Sequence, residues 1–315
     1  MKFLSVAKAY VVWFVWLLLS RILPLFSLKV NYLLSTVCSR LFYTFDRRWR
    51  NTVEKDICKL FGDRIDKNKI KKVVRSSFDI FFKRQVENII FETFTKERVN
   101  SMVSFEGIEN LEGVLREGKG AILLLSHFGS FLLPPLALGH RGYKVFQVGK
   151  EPINRTLDRK IFELRKSAMD KLPINFIQSS QYLGSVVKAL KGNGIVVIAF
   201  DGRAGNKFIP VNFFDRIAEF SPGPFRLAIR TGATILPTFT VRKKDDHHRI
   251  IIEPPLELEI TNDNEETLKI NTVKYVKIFE RYLLDYPCHF AMILYSLGRA
   301  VERGLNRPLF VDRES

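Results

Sequence analysis

One histidine stands where layered α/β proteins do their chemistry. The segment Gly120-Ala-Ile-Leu-Leu-Leu-Ser126 is a continuous apolar run opened by glycine, which predicts a buried strand, and His127 follows it directly. Ligands and reacting groups of open α/β sheets collect just past the C-terminal ends of such strands. Imidazole titrates near neutral pH, so a histidine placed there can take a proton from a hydroxyl. Gly129 permits a tight turn with close backbone approach, Ser130 lies in the same turn, and the helix that should follow would present free N–H groups to an oxyanion. Taken alone, His127 has a structural role as its alternative.

A second polar residue has the same placement. Asp201 stands in Ala199-Phe-Asp201-Gly-Arg203-Ala-Gly205, just past the apolar run Ile195 to Phe200. It reads either as an acid that accepts from His127 or as the cap of an Asp-Gly turn. Arg203, Arg226 and Arg242 are candidates for binding phosphate or a polarised carbonyl oxygen, because a guanidinium fork matches an oxyanion. For Arg242 the alternative is a solvated charge opening the polar turn Arg242-Lys-Lys-Asp-Asp-His-His-Arg249. His247 and His248 in that turn have no partner at metal spacing and read as inert surface groups, while His140 beside Gly139 and Arg141 reads as capping a helix end. Cys38, Cys58 and Cys288 are odd in number, far apart and without a Cys-x-x-Cys, which suits a reducing compartment and calls for no disulfide, metal or cofactor.

These side chains must be positioned by regular elements, and hydrophobic periodicity supplies them. Strands are predicted at 120–126, 144–148, 174–177, 195–200, 234–241 and 249–253, with helices at 154–169, 180–191, 221–231 and 265–285. Continuous apolar strands alternating with helices predict an α/β domain over about 101–300, a mixed sheet with helices on both faces, followed by a tail over 301–315. The first hundred residues have another character. Apolar residues at Ile70, Val73, Val74, Phe78, Phe81, Phe82 and Ile89 among lysines and arginines predict an amphipathic helix, and the apolar stretch Val30 to Phe45, ending in Asp46-Arg-Arg-Trp-Arg50, reads as another helix with a basic cap, so 29–100 reads as a helical basic region.

Residues 1–28 read as a membrane anchor. Lys2 and Lys8 precede an apolar run containing Tyr10, Trp13 and Trp16, and Arg21, Pro24 and Lys29 follow where a signal peptide would have its cleavage site. The uncharged run is shorter than the ~20 residues that cross a bilayer, so a span with Lys8 snorkelling, an interfacial helix and a buried core helix are the three alternatives. If the segment spans, the basic residues after it place the main domain in the cytoplasm, at the inner membrane.

The order of several blocks resembles one family. Phe105-Glu-Gly-Ile-Glu-Asn-Leu111, Gly118 to Gly129, Val211-Asn-Phe-Phe214, Gly223-Pro-Phe-Arg-Leu-Ala228, Gly232 to Phe239 with Arg242, and Glu253-Pro-Pro-Leu-Glu257 are similar to the lipid A biosynthesis late (lauroyl/myristoyl) acyltransferases of the lysophospholipid acyltransferase superfamily. Tyr286-Pro-Cys-His-Phe290 is similar to that family's His-Pro-x-Gln-Trp, and the likeness covers about residues 50–290. The resemblance implies a membrane-bound O-acyltransferase that moves a fatty acyl chain from acyl carrier protein or CoA to a glycolipid hydroxyl. His127 would be its general base, backbone N–H groups near Gly129 would stabilise the oxyanion, and Gly129, Ser130, Arg203, Arg226 and Arg242 would contact substrate. The family also carries a carboxylate five positions after this histidine, in His-Phe-Gly-Asn-Trp-Glu; here that position is Leu132, and Ser130 and Phe131 replace the Asn and Trp. Leucine can neither accept an imidazole N–H nor balance an imidazolium. Either another acid, with Asp201 the candidate, serves His127, or the chain is an inactive relative that binds lipid or a carrier domain.

The 315 residues carry 50 Lys and Arg against 33 Asp and Glu, a net charge of +17. Residues 1–100 hold 20 of those bases against nine acids, so most of the excess lies beside the aromatic anchor, where an anionic membrane is the fitting partner. Nucleic acid is a poor fit, since no helix-turn-helix, zinc or single-strand-binding signature accompanies the charge. With 46% hydrophobic residues, composition also excludes disorder, a disulfide scaffold and a polytopic membrane protein.

Overall fold

A computed structural model describes residues 2–149, 172–178, 182–202, 207–302, 304 and 307–311. Four helices lead the chain: α1 (Lys2–Ile22), α2 (Leu28–Phe45), α3 (Arg47–Phe61) and α4 (Lys67–Ile89). Each junction has a chemical cause. Pro24 stops α1 and sits in a single 3-10 turn, Asp46 caps α3 by accepting from Trp49 N–H at 2.9 Å, and Asp66 caps α4 from Asn68 N–H at 2.9 Å. The short α5 (Lys96–Met102) leads into β1 (Val103–Glu106), after which α6 (Ile108–Arg116), β2 (Ala121–Leu125), α7 (Leu133–His140), β3 (Val145–Gly149) and β4 (Asn175–Gln178) follow. Then come α8 (Tyr182–Lys191), β5 (Ile195–Ala199), the hairpin β6 (Ile209–Phe213) and β7 (Arg216–Phe220), α9 (Gly223–Thr231), β8 (Thr234–Arg242), β9 (His248–Ile252), α10 (Asn264–Asp285) and α11 (Ala291–Glu302).

Seven strands form one sheet in the order β1-β9-β8-β2-β5-β3-β4. All neighbours run parallel except β8 and β9, which pair antiparallel through a tight turn, so the sheet is mixed as expected. β2 lies near the middle and is buried along its whole length. Its side chains alternate between two cores: Ile122 and Leu124 pack with α3, α4, α9 and α10, while Ala121, Leu123 and Leu125 face Leu111, Val114 and Leu136 from α6 and α7. Helices thus cover both faces. The expected helix over 154–169 lies outside the described residues. Sequence reading missed β1, which has only four residues, and the β6–β7 hairpin, which alternates buried and exposed residues instead of running apolar.

The N-terminal helices part from the ordinary pattern. α2 turns Asn31, Tyr32, Ser35 and Ser39 inward and exposes Val30, Leu33, Leu34, Val37, Leu41 and Phe45, an apolar stripe that continues along α1 at Val11, Phe14, Val15 and Leu18. The buried polar face is tied down by hydrogen bonds: Asn31 donates to the Leu23 carbonyl at 2.8 Å and the Tyr32 hydroxyl to Glu87 at 2.5 Å. Among the described residues no helix is long and apolar enough to cross a membrane.

Candidate active site

Parallel pairing brings the two strand-end residues together. β2 and β5 are neighbours in a register that sets Leu125 beside Ala199, so positions two residues further on, His127 and Asp201, also fall side by side. The Phe200 N–H donates to the Leu125 carbonyl at 2.7 Å and holds the two exits abreast. Asp201 is completely buried. Its carboxylate accepts the His127 backbone N–H through both oxygens, at 3.0 and 3.1 Å, and lies 2.9 Å from Nδ1 of the imidazole. A buried carboxylate with one ring nitrogen in reach fixes the tautomer: Nδ1 carries the proton and donates it, which leaves the Nε2 lone pair free. The imidazole is about one third exposed, and Nε2 has no hydrogen-bond partner among the described residues. Burial opposes protonation of the ring, but attraction to and hydrogen bonding with Asp201 outweigh it, so the pKa is raised above its ordinary value.

The turn after His127 is locked by close contacts. Gly129 has φ +56°, and a Cβ there would lie 2.0 Å from the Thr240 carbonyl oxygen and 3.3 Å from the His289 ring. The Gly129 N–H donates to the His289 carbonyl at 3.2 Å, so this amide is engaged and not turned toward an oxyanion as the sequence had suggested. His289 itself is buried, stacks on Phe128 at 5.2 Å and accepts the Arg242 backbone N–H on Nε2 at 3.0 Å; burial drives its pKa down to about 3, so it stays neutral. This histidine belongs to Tyr286-Pro-Cys-His-Phe290, a block visible in the sequence without any role for His289.

Behind the turn lies a buried polar cluster centred on Glu87 of α4. Its carboxylate accepts from the Ser130 hydroxyl at 2.6 Å, from Tyr32 and from His248 Nε2 at 3.0 Å, and pairs directly with Arg242. Burial pushes the Glu87 carboxyl upward, but Arg242 and His248 pull it well below the carboxylate range. Arg242 is met in addition by Asp246 at 3.3 Å and lies 4.9 Å over the Tyr32 ring. One carboxylate thereby joins α2, α4, the His127 turn, β8 and β9.

Residues 1–295 match the family model described as bacterial lipid A biosynthesis acyltransferase. The chain belongs to that family. A phosphatidylinositol mannoside acyltransferase of Mycobacterium tuberculosis is 26% identical over 133 residues, 42% of this chain and 42% of that protein, so that match covers well under two thirds of the relative. A lipid A biosynthesis palmitoleoyltransferase of Escherichia coli and a lipid A biosynthesis acyltransferase of Shigella flexneri are each 26% identical over 230 residues, 71% of this chain and 70% of theirs.

As a lipid A biosynthesis acyltransferase family member, the chain places its remaining candidates as follows. Leu132 stands at the N-terminal boundary of α7 without capping it and is partly buried beside Ser130 and Phe131. Ser130 faces Glu87, and the Arg242 guanidinium is 3% exposed and surrounded by carboxylates, so both belong to the polar cluster and not to an open surface. Arg226 is exposed on α9, with no ion pair among the described residues and no contact to the His127–Asp201 pair. Arg203 lies outside the described residues. His248, expected to be an inert group in a polar turn, is fully buried on Glu87, because β9 begins at this residue and carries it inward. His140 stands at the end of α7 with Nε2 2.8 Å from the Phe94 carbonyl.

Proposed function

We propose that the chain is a membrane-surface O-acyltransferase that moves a fatty acyl group from a thioester, on acyl carrier protein or CoA, to a hydroxyl of a glycolipid. The observation that carries this reading is the His127–Asp201 pair at the mouths of β2 and β5, with Nε2 open. Nε2 takes the proton of the acceptor hydroxyl as its oxygen attacks the thioester carbonyl. Collapse of the tetrahedral intermediate expels the thiolate, which recovers that proton, so ester and thiol are the products and the imidazole returns to its starting state. Asp201 holds the tautomer and stabilises the imidazolium between the two steps.

The inverted amphipathicity of α2 and the apolar side of α1 support a membrane surface as the working place. Leu33 and Phe45 are 64% and 79% exposed, an arrangement that water penalises and the acyl boundary of a bilayer accepts. Arg40, Arg47 and Arg48 are exposed at the end of that stripe, where anionic headgroups would lie. The same basic residues support the anionic cytoplasmic face of the inner membrane as the side on which this surface works. Leu132 is the one observation that favours an inactive lipid-binding relative instead. Purified protein given an acyl thioester and a lipid acceptor is expected to form acylated lipid. His127→Ala should abolish transfer while lipid binding persists, and full activity in that variant would overturn the mechanism. Leu132→Glu should bring no gain in rate, whereas a large gain would favour the decayed site.

A further inference from the structure

Three basic side chains of the buried polar cluster, Lys83, Arg84 and Arg242, are treated differently by their surroundings. Lys83 contacts Asp246 at 2.8 Å and Asp79 at 3.2 Å, and Arg242 pairs with Glu87 and Asp246. Arg84 is 6% exposed, yet among the described residues it has no carboxylate within 4 Å and no hydrogen-bond acceptor. Its guanidinium carbon lies instead 5.6 Å from the Phe81 ring and 6.0 Å from the Phe131 ring. Desolvation lowers its pKa to about 10, which still leaves it charged at neutral pH. Glu87, one turn away on the same helix, attracts Arg84 but makes its direct pairs with other groups, and burying a cation without a directly paired counter-charge is costly.

Arg84 lines a partly open cavity of about 10 Å³ whose other polar walls are Asn88, Ser130 and Glu87, the last already paired with Arg242 and His248, and whose apolar walls are phenylalanine and leucine side chains including Phe131 and Leu132. That volume holds one oxygen-sized guest, with the remainder of a larger group at the mouth. Asn88 lies one helical turn from Arg84, and its side chain also has no hydrogen-bond partner among the described residues, so two donors on one face of α4 meet the cavity. Phe131 forms the opposite wall and packs edge-on against the His127 imidazole at 4.8 Å, so the cavity is one aromatic ring from the reacting nitrogen.

We propose that Arg84 and Asn88 form an anion site for a phosphate group of one of the two substrates. Two sources share this chemistry: the headgroup of the lipid acceptor and the pantetheine phosphate of the thioester donor. The substrate assignment rests on the acyl-transfer reading above, whereas the anion site itself does not.

The test has a binding arm and a kinetic arm, both on the full chain. In thermal unfolding, inorganic phosphate should raise the midpoint of the wild type saturably relative to chloride at equal ionic strength, and Arg84→Met should lose that shift. Because Arg84 gives up no ion pair or hydrogen bond, only its contacts with the Phe81 and Phe131 rings, Arg84→Met without phosphate should melt within a few degrees of the wild type. Arg84→Lys keeps the charge but loses the fork, and a weakened phosphate shift is expected there should the Met variant fail to fold. An undiminished shift in both variants also overturns the site. In the kinetic arm, Arg84→Met should raise KM for one substrate by about 10- to 100-fold with kcat nearly unchanged, the size expected for a lost charge-assisted hydrogen bond. A rise confined to the lipid acceptor assigns the headgroup, a rise confined to the donor assigns the pantetheine phosphate, and no rise for either overturns the substrate role. If the wild type transfers no acyl group but its phosphate shift depends on Arg84, the acyl-transfer reading fails while the anion site stands.

Discussion

Asp201→Asn isolates the acid that serves His127 with almost no change of shape. The Asp201 carboxylate makes three contacts inside a fully buried site: both oxygens accept the His127 backbone N–H, and Oδ1 lies 2.9 Å from Nδ1. An amide has one oxygen to offer. If that oxygen takes the Oδ2 place it keeps the backbone N–H, but the amide NH₂ faces Nδ1, which must then accept, and the proton moves to Nε2 where the base is needed. If it takes the Oδ1 place it accepts from both the backbone N–H and Nδ1, but the NH₂ opposes the backbone N–H, donor against donor in a dry site. Both arrangements also remove the charge that balances the imidazolium. General-base catalysis contributes about 10²–10⁴, and loss of the triad aspartate in serine proteases costs about 10⁴, so kcat should fall by about 10²- to 10⁴-fold. Initial rates of labelled acyl transfer measure this. The pH profile supplies a second readout. Catalysis requires neutral imidazole, and Asp201 raises the pKa, so the wild-type acid limb of kcat/KM should lie above the ordinary histidine value of 6.5 and move to lower pH in the variant. Turnover within threefold of wild type with an unmoved acid limb would refute the reasoning.

Gly129→Ala should fail at the turn, because its Cβ would overlap the Thr240 carbonyl oxygen at 2.0 Å and φ +56° disfavours a side chain; lost activity with a lowered melting temperature is the expected result. Glu87→Gln breaks a buried pair and should destabilise by about 3 kcal/mol in urea denaturation, and Ser130→Ala, which removes one of several donors, by about 1 kcal/mol. The folded pKa of Glu87 is depressed, so its contribution to stability is full above the ordinary value of 4.5 and is lost as pH falls below it; acid unfolding should be shallower in Glu87→Gln than in wild type. Leu33→Glu with Phe45→Glu should leave the melting temperature within a few degrees of wild type but weaken binding to anionic vesicles, measured by co-sedimentation.

How far the sequence reached depended on the range of the interactions involved. Strands such as Ile195–Ala199 declare themselves because a buried parallel strand must be apolar throughout, and His127 and Asp201 were legible because each directly follows such a run. Their meeting was not. It depends on β2 and β5 being neighbours although α7, β3, β4 and α8 intervene in the chain, an order that local periodicity does not encode. The Glu87 cluster was invisible for the same reason, joining residues from 32 to 248 with every member polar and so apparently at home in solvent. At α2 the apolar run Val30 to Phe45 correctly predicts a helix but not its orientation, for the structure turns Asn31, Tyr32, Ser35 and Ser39 inward and leaves the apolar side exposed.

Leu132 carries a consequence beyond the loss of one carboxylate. At the start of α7 it borders the cavity of Arg84, one ring away from His127, so a carboxylate introduced there would stand beside an unpaired cation before it reached an imidazole already satisfied by Asp201. In the proposed mechanism acid and base come from two neighbouring strand ends, held in register by the sheet, instead of from one turn and the helix behind it. A sheet fixes such a pair more firmly than a turn, because Leu125 and Ala199 are locked by backbone pairing that no side-chain substitution alters. The turn is thereby freed from supplying the acid. It can carry Leu132 and Phe131 against Arg84, and with them the anion site proposed above, which a carboxylate at position 132 would neutralise. Arg84→Met combined with Leu132→Glu should therefore bind phosphate no more weakly than Arg84→Met alone, whereas Leu132→Glu by itself should abolish the phosphate-dependent rise in melting temperature. Retention of the full rise in that single variant would show that the two side chains do not share the cavity in solution.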